Sequence, residues 1–300
     1  MNTSNTTSDE HTINYRRILQ IILGLLWIGD GLLQLQPKMF TSQFATQVLA
    51  PMAQGQPTYI GHVIRSVSNL IAFHPAQYTI IFASTQLLIG SLLLIKRTIR
   101  IGILLSIVWG TSIWIIGEGL GGLFNGTTML LMGSPGAVLL YIVIAISCWP
   151  SDKNKHVPDG WLAIFWGFMW VGTSLMQLRT SSNPVRITSM ILQQAQGAPH
   201  WLAYLDHIAV HVLLYGGYGG VLLLLAIQIS IGLFIFAPQH IRERAIYLGI
   251  GVSVIYWIIG QNLGGYYTGL MTDINTAPLV IVLGFAIRKT SEDYTFTNWV

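Results

Sequence analysis

Charged residues and cysteines are scarce in this 300-residue chain. Only 9% of the residues are charged, and Cys148 is the single cysteine. One cysteine excludes an internal disulfide, a C-x-x-C redox pair and thiolate-held iron–sulfur clusters. The chain is instead 52% hydrophobic, with the apolar residues gathered in long runs. This composition is typical of an integral membrane protein, since ordinary soluble domains carry about 25% charged residues.

Eight apolar runs are long enough, or nearly so, to cross a bilayer as helices, which takes about 20 residues each. They predict an all-α polytopic membrane protein with spans at 18–36, 76–95, 99–124, 127–148, 161–178, 213–236, 245–268 and 274–287. The polar residues before the first run lack the apolar core and small-residue cleavage site of a signal peptide. We therefore expect the first run to be the anchor itself.

Lysine and arginine predict the orientation. With the N-terminus inside, eleven of them lie on the inner side: Arg16, Arg17, Lys96, Arg97, Arg100, Lys153, Lys155, Arg242, Arg244, Arg288 and Lys289. The four on the outer side are Lys38, Arg65, Arg179 and Arg186. An inner excess of positive charge indicates cytoplasmic N- and C-termini in a multi-pass protein of the cell membrane.

The second half of the chain repeats the first. W-I-I-G-E-G-L-G-G at 114–122 returns as W-I-I-G-Q-N-L-G-G at 257–265, an offset of 143 residues. An even number of spans in each unit predicts two parallel four-helix repeats that enter the membrane in the same sense. The resulting divisions are an N-terminal tail at 1–17, a first repeat at 18–149, a cytoplasmic linker at 150–160, a second repeat at 161–289 and a C-terminal tail at 290–300.

Each repeat also has a long outer loop after its first span. Phe40, Phe44, Val48 and Leu49 recur at helical spacing in one loop, and Ile187, Met190, Ile191 and Gln194 do so in the other. This spacing predicts short amphipathic helices at the outer membrane surface, placed to cover a cavity.

The glycine-bearing first span and the stretch Q-L-L-I-G-S-L-L-L-I-K-R-T-I-R at 86–100 resemble the DoxX-like family of four-span membrane proteins. That family includes DoxD, a subunit of thiosulfate:quinone oxidoreductase. The resemblance covers about 16–148 and again 161–289, so the chain looks like a tandem duplication. It implies compact four-helix units and a role beside quinone redox chemistry, and it supplies no catalytic residues.

Two carboxylates, Asp30 and Glu118, interrupt the predicted spans. Charged groups in a bilayer are costly, so such residues mark functional sites or buried polar networks that hold helices together. Both fall in the outer half of the membrane, and the second repeat has Thr173 and Gln261 in their places. We expect a site for a proton, a cation or a quinone headgroup near Glu118 and Gln261.

Several amides are further candidates for ligand binding. They are Gln34, Asn125, Gln177 and Asn262, with helix-end solvation as the structural alternative for the glutamines. The spacings Gly117-x-x-x-Gly121 and Gly260-x-x-x-Gly264 predict close helix packing, because small residues four apart let helix backbones approach.

Histidines concentrate in the outer loops. His207 and His211 are four residues apart and therefore share one helix face. Two imidazoles at that spacing can hold copper or zinc, or one can serve as an axial haem ligand. Interfacial histidines that hydrogen-bond to lipid or backbone are the alternative.

Three functions follow as hypotheses. The first is a membrane component of a quinone-linked redox system, with a quinone as the expected cofactor, copper or haem as alternatives, and a redox partner subunit. The second is a transporter of a small solute or cation that uses Asp30 and Glu118. The third is a structural subunit of a larger complex. The sequence contains no nucleophile–base–acid set and no dinucleotide fingerprint, so it does not decide whether the protein is an enzyme.

Overall fold

The computed structural model describes residues 15–150, 159–180 and 182–297, and gives side chains up to residue 288. The predicted cytoplasmic linker and the predicted N-terminal tail lie largely outside these residues, whereas the predicted C-terminal tail at 290–300 continues the last helix as far as residue 297. The described chain contains helices and no strands. The α-helices are α1 Tyr15–Leu33, α2 Thr58–Phe73, α3 Pro75–Leu94, α4 Ile99–Ile116, α5 Ala137–Ser147, α6 Asp159–Thr180, α7 Pro184–Gln194, α8 His200–Leu233, α9 Gln239–Ile258 and α10 Thr276–Thr297.

Five helical segments are long and apolar enough to cross a membrane: Pro75–Leu94, Ile99–Ile116, Gly160–Thr180, His200–Phe236 and Gln239–Thr268. A multi-pass membrane protein fits this finding. Three further helices, α1, α5 and α10, lie within or overlap predicted spans but are either too charged or too short in their apolar part to count among these five. α1 has 19 residues but carries Arg16, Arg17 and Asp30, and the apolar parts of α5 and α10 are shorter than a full span.

Both segments that are predicted to form short helices after the first and fifth spans are helical. The segment Phe44–Leu49 is a π-helix flanked by 3-10 turns, and Pro184–Gln194 is α7. The second loop is shorter than predicted, since α8 begins at His200 rather than at 213. α8 bends at Gly217, whose φ of 52° and ψ of −143° leave the helical region.

The glycine-rich segments near Glu118 and Gln261 do not have the helical structure that the sequence predicts. The predicted span 99–124 stops being a helix at Ile116, because residues 119–122 all have positive φ. Residues 262–265 have the same left-handed backbone after α9. The prediction of glycine-mediated helix faces is therefore wrong at this point, and these glycines form loops instead. Close approach does occur there, since a Cβ at Gly121 would overlap with the backbone of Pro135.

The core lies where α5 meets its neighbours. α5 packs against α1, α4 and α10, and eight of its eleven residues are buried. The predicted span 127–148 is helical only from Ala137, and residues 127–136 form an irregular segment that includes a 3-10 turn at Leu130–Met132. Irregular backbone at membrane depth requires partners inside the protein, because lipid offers no hydrogen bonds. Met129 N–H and Ser134 Oγ meet that requirement with a bond of 3.1 Å.

Candidate functional site

A cavity of about 200 Å³ lies in the first half of the chain, among α1, α2, α3 and α4. Three carboxylates line it: Asp30, Glu118 and Asp273. The structure thus brings together the two acids that the sequence singles out. It adds a third acid from the second half.

Glu118 follows the last turn of α4 and reaches the start of α5. Its Oε1 accepts a hydrogen bond of 3.0 Å from Val138 N–H, one of the amides that the first turn of α5 leaves without a helical partner. Its Oε2 is buried without a hydrogen-bond partner. Gly136 makes the approach possible, since a Cβ there would overlap with the Glu118 carboxylate. One oxygen of Glu118 therefore stabilises the helix and the other is left for a ligand or a proton.

Asp30 lies on α1 with 3% of its surface exposed. The Tyr141 hydroxyl from α5 is beside it. The Tyr141 ring packs edge-to-face on Trp27 at 5.0 Å, and Trp27 Nε1 donates to Ser106 Oγ over 2.8 Å. These contacts hold Trp27 and Tyr141 in place beside Asp30.

Asp273 enters the cavity from the loop before α10. Its Oδ1 accepts a bond of 2.7 Å from Asn275 N–H, and its Oδ2 accepts one of 2.8 Å from the Thr272 hydroxyl. Burial raises the pKa of the Asp273 carboxyl above its ordinary value. Burial first, and then the nearby Asp273 charge, raises the pKa of Glu118 to about 8. Neither acid ionises as easily as it would in water.

The remaining polar groups at the cavity are mostly hydrogen-bond acceptors. Gln34 Oε1 and Gln86 Oε1 are both buried without a partner. Trp109 Nε1 is an unpartnered donor. Among the described residues that line the cavity there is no lysine, arginine or histidine. A ligand with hydrogen-bond donors and positive charge would satisfy more of these groups than any other kind.

Aromatic rings form much of the apolar wall. Trp27, Phe44, Phe82 and Trp109 all line the cavity. Phe82 packs on Trp109 with ring centroids 5.7 Å apart, and on Phe44 at 6.4 Å. Ring faces attract cations, more strongly where water is excluded. The wall thus suits an ion that has an apolar body.

Residues of the second half that match cavity residues in the sequence form a hydrogen-bonded network. Gln228, the counterpart of Gln86, accepts from Ser174 Oγ over 2.7 Å and donates to the Tyr256 hydroxyl over 2.6 Å. Tyr256 stands where the first half has Ile113, which lines the cavity. The Tyr256 hydroxyl pairs with the amide nitrogen of Gln228, and Ser174 supplies the donor to its oxygen. The first half has Gly31 where the second has Ser174, and Gln86 Oε1 has no partner.

Other predicted ligand residues have structural roles or lie elsewhere. Gln261 donates to Leu130 O over 3.1 Å and accepts from Ala277 N–H over 3.0 Å. Asn125 Oδ1 accepts from the backbone and hydroxyl of Thr127. Neither residue lines the cavity, and both have partners that explain their placement.

Gln177 and Asn262 are buried in the second half, and their side-chain polar atoms have no hydrogen-bond partner. Asn262 lies beside Asp206, a buried acid on α8. Asp206 Oδ1 accepts a long bond of 3.4 Å from Gly260 N–H. This second polar group is separate from the residues that line the cavity.

His207 and His211 lie on one helix, as their spacing predicts, but that helix is the long α8 and not part of a loop. Both are exposed. In the part of the chain that the structure describes, no group of three or more histidine, cysteine, aspartate or glutamate residues is placed to hold a metal ion. The two imidazoles have no third ligand of these types there.

No family model, no curated protein and no solved structure matches the chain.

Asp273 and Gln86 are not among the site residues that the sequence predicts. Asp273 lies one residue before the predicted last span, where an acid reads as part of a loop. Its counterpart in the first repeat is Leu130, so comparison of the repeats reveals an acid present in one half only. That asymmetry is a usable signal, but it does not show that the side chain reaches the other half.

Proposed function

We propose that this multi-pass membrane protein binds a small organic cation in the cavity of its first half and carries it across the bilayer. The observation that supports this most is the meeting of three carboxylates in a cavity whose described lining has no basic residue. An unpaired charge is expensive in such a place, so a binding partner of opposite sign is favoured.

The supporting architecture is two four-helix units. α1, α5 and α10 would complete eight spans, with both termini in the cytoplasm, as the lysine and arginine distribution predicts. Two features of the structure favour related halves: the left-handed loops at 119–122 and 262–265, and the polar side chains that bind the first amides of α5 and α10. The short helix α5 suits a central place, since protein rather than lipid surrounds it.

Only the first half would bind the cation. In the second half Thr173 and Gln261 replace the acids Asp30 and Glu118, and Tyr256 replaces Ile113. The second half contributes Asp273 and otherwise acts as a scaffold. A duplicated protein with one binding half needs no symmetric substrate.

Benzylammonium is a suitable first probe, because it combines one ammonium group with an apolar ring. We expect the purified wild-type protein to bind it in titration calorimetry at neutral pH, and to bind the neutral analogue benzyl alcohol much more weakly. Asp30→Asn and Glu118→Gln each replace a carboxyl group that can carry a negative charge by a neutral amide of similar shape. Each should weaken binding by roughly ten-fold or more, since one ion pair in a dry site contributes on the order of 1.4 kcal/mol or more.

Glu243→Gln is the matched control, because Glu243 is a partly exposed acid on α9 that lies outside the cavity and accepts a hydrogen bond from Gln239. It should bind benzylammonium as the wild type does. Equal affinity in all four proteins, or equal affinity for the alcohol and the ammonium ion, would contradict a charge-selective site.

A quinone-linked redox role is the second candidate. The observation in its favour is that aromatic rings and carboxyl groups able to exchange protons line one cavity. A quinol has two hydroxyl donors that would suit Asp30 and Gln86. The DoxX-like resemblance motivates this reading, in which a partner subunit would supply the electron path. Competition between a short-chain quinol and benzylammonium would support it, and quinol binding unaffected by Asp30→Asn would count against it.

A further inference from the structure

We propose that the cavity exchanges its cation for a proton, releasing about one proton for each cation that binds. This inference rests on the proposed cation-binding function. It adds a coupling: the affinity for the cation rises with pH, and a proton gradient can drive the cation in the opposite direction.

The three acids of the cavity come from three different segments of the chain. Asp30 comes from α1, Glu118 from the loop after α4, and Asp273 from the loop before α10. Each is close enough to influence another electrostatically, since Asp273 and Glu118 both act on Asp30. Like charges that share a buried site cannot all ionise, so at least one of the three carries a proton when no cation is bound.

Apart from the three acids, the described residues that line the cavity carry no ionisable group. The described residues that α2 and α3 contribute to the lining are apolar, apart from the amide Gln86. α4 contributes Ser112 and Trp109 but no ionisable group, and the outer π-helix contributes apolar side chains. Tyr141 on α5 is a phenol, which is neutral at physiological pH. The three acids are thus the groups that can balance an incoming positive charge.

Glu118 offers the best place for the exchanged proton. Its Oε1 is occupied by the Val138 amide, so a proton would reside on Oε2, which has no other partner. The raised pKa of this acid, about 8, is consistent with a proton held at neutral pH. Gln261, in the matched position, satisfies the corresponding atom with an N–H donated to Leu130 O. A protonated glutamate and a glutamine present the same pair of groups, one donor and one acceptor.

The exchange conserves charge. The O–H bond of the carboxylic acid breaks and its proton goes to water. The resulting carboxylate pairs with the ammonium group, so the net charge of the cavity is the same before and after. No bond of the cation changes and no electron is transferred.

The test is calorimetry of benzylammonium binding to the full chain at pH 7, repeated in buffers of different ionisation enthalpy. A released proton is taken up by the buffer, so the observed heat changes linearly with that enthalpy, and the slope gives the number of protons. We expect a release of about one proton. The dissociation constant should fall by up to about ten-fold per pH unit between pH 6 and pH 8, where a single linked proton is involved. Glu243→Gln should give the same slope as the wild type.

The outcomes separate the two proposals. Binding whose heat is the same in every buffer, with an affinity independent of pH, would overturn the exchange and leave the cation site standing. Absence of binding to the wild type would overturn both. A proton release that persists in full in Glu118→Gln would move the exchanged proton from Glu118 to Asp30 or Asp273, and would contradict the assignment made here.

Discussion

Glu118 and Gln261 occupy matched positions and both bind the first turn of the helix that follows. The amide of Gln261 is satisfied at both ends, whereas Glu118 Oε2 has no hydrogen-bond partner. The two positions therefore differ in one buried oxygen, which has no partner in Glu118.

The stability of the ligand-free protein should depend on pH through Glu118. Its folded pKa of about 8 lies above its ordinary value, so the folded state holds a proton more tightly than the unfolded state. Raising the pH from 5 to 8 therefore removes stability, and lowering it restores stability. We expect the melting temperature in detergent to fall over this range. The fall should be smaller in Glu118→Gln, and a curve identical to that of the wild type would contradict the role given to this acid.

Ile113 and Tyr256 test the cavity at the scale of one side chain. Ile113→Tyr introduces the residue of the second half, which should fill the space beside Gln86. We expect benzylammonium binding to weaken by at least about ten-fold while the protein remains folded, because ligand and side chain compete for one volume. Unchanged binding with a folded protein would place the ligand elsewhere.

The complementary change, Tyr256→Phe, removes the hydroxyl that accepts from Gln228. It should lower the stability by about 1 to 3 kcal/mol, since a buried amide loses its partner. Its benzylammonium affinity should remain that of the wild type. Thermal unfolding and binding calorimetry should be measured on both Ile113→Tyr and Tyr256→Phe. We expect the first variant to lose affinity and the second to lose stability.

Loops that the hydropathy pattern does not reveal determine where several helices begin and end. The helices α3 and α6 lie close to the predicted runs, because long apolar stretches with Pro or charge at their ends leave little alternative. α9 begins six residues before its predicted run and ends ten residues before the end of that run. The predicted spans at 99–124 and 127–148 end early or begin late. Hydropathy shows that a residue is apolar, but it does not show that residues 119–122 adopt positive φ. The cavity depends on those loops, so the sequence identifies Asp30 and Glu118 as candidate residues but does not show that they meet Asp273 in one cavity.

A substitution at Gly136 tests whether the loop before α5 positions Glu118. Gly136 has a φ of 110°, and an added Cβ would overlap with the Glu118 carboxylate. Gly136→Ala should lower the stability by roughly 1 to 3 kcal/mol and displace Glu118. Gly251→Ala on α9 is the control, because that position has open space and helical backbone. Its stability should stay equal or rise by up to about 1 kcal/mol, and a similar loss in both variants would contradict the geometric explanation.

At the scale of the molecule, the two halves are joined through polar contacts as well as apolar packing. Gln261 binds Leu130 O, the Thr276 hydroxyl binds Gly133 O, and Asp273 completes the cavity of the other half. The sequence indicates the duplication through its 143-residue offset. It does not indicate this exchange of contacts, because residues of a loop can reach either half. The first half alone would consequently lack part of its own site.

The proposed orientation is open to chemical labelling. Cys148 is buried, so in intact cells the native chain should react poorly with a membrane-impermeant maleimide. A cysteine introduced at exposed Thr41 should react from outside, and one at Lys96 should react only after the cells are opened. The reverse pattern would invert the topology that the inner excess of positive charge predicts.

The most direct test of the central claim is a crystal structure of the protein grown with 4-bromobenzylamine, with data collected at the bromine absorption edge. The account predicts an anomalous peak inside the cavity among Trp27, Phe82 and Trp109, with the ammonium group directed at Asp30 and Glu118. A peak only at the protein surface, or a cavity closed by its own side chains while the amine is bound elsewhere, would contradict it.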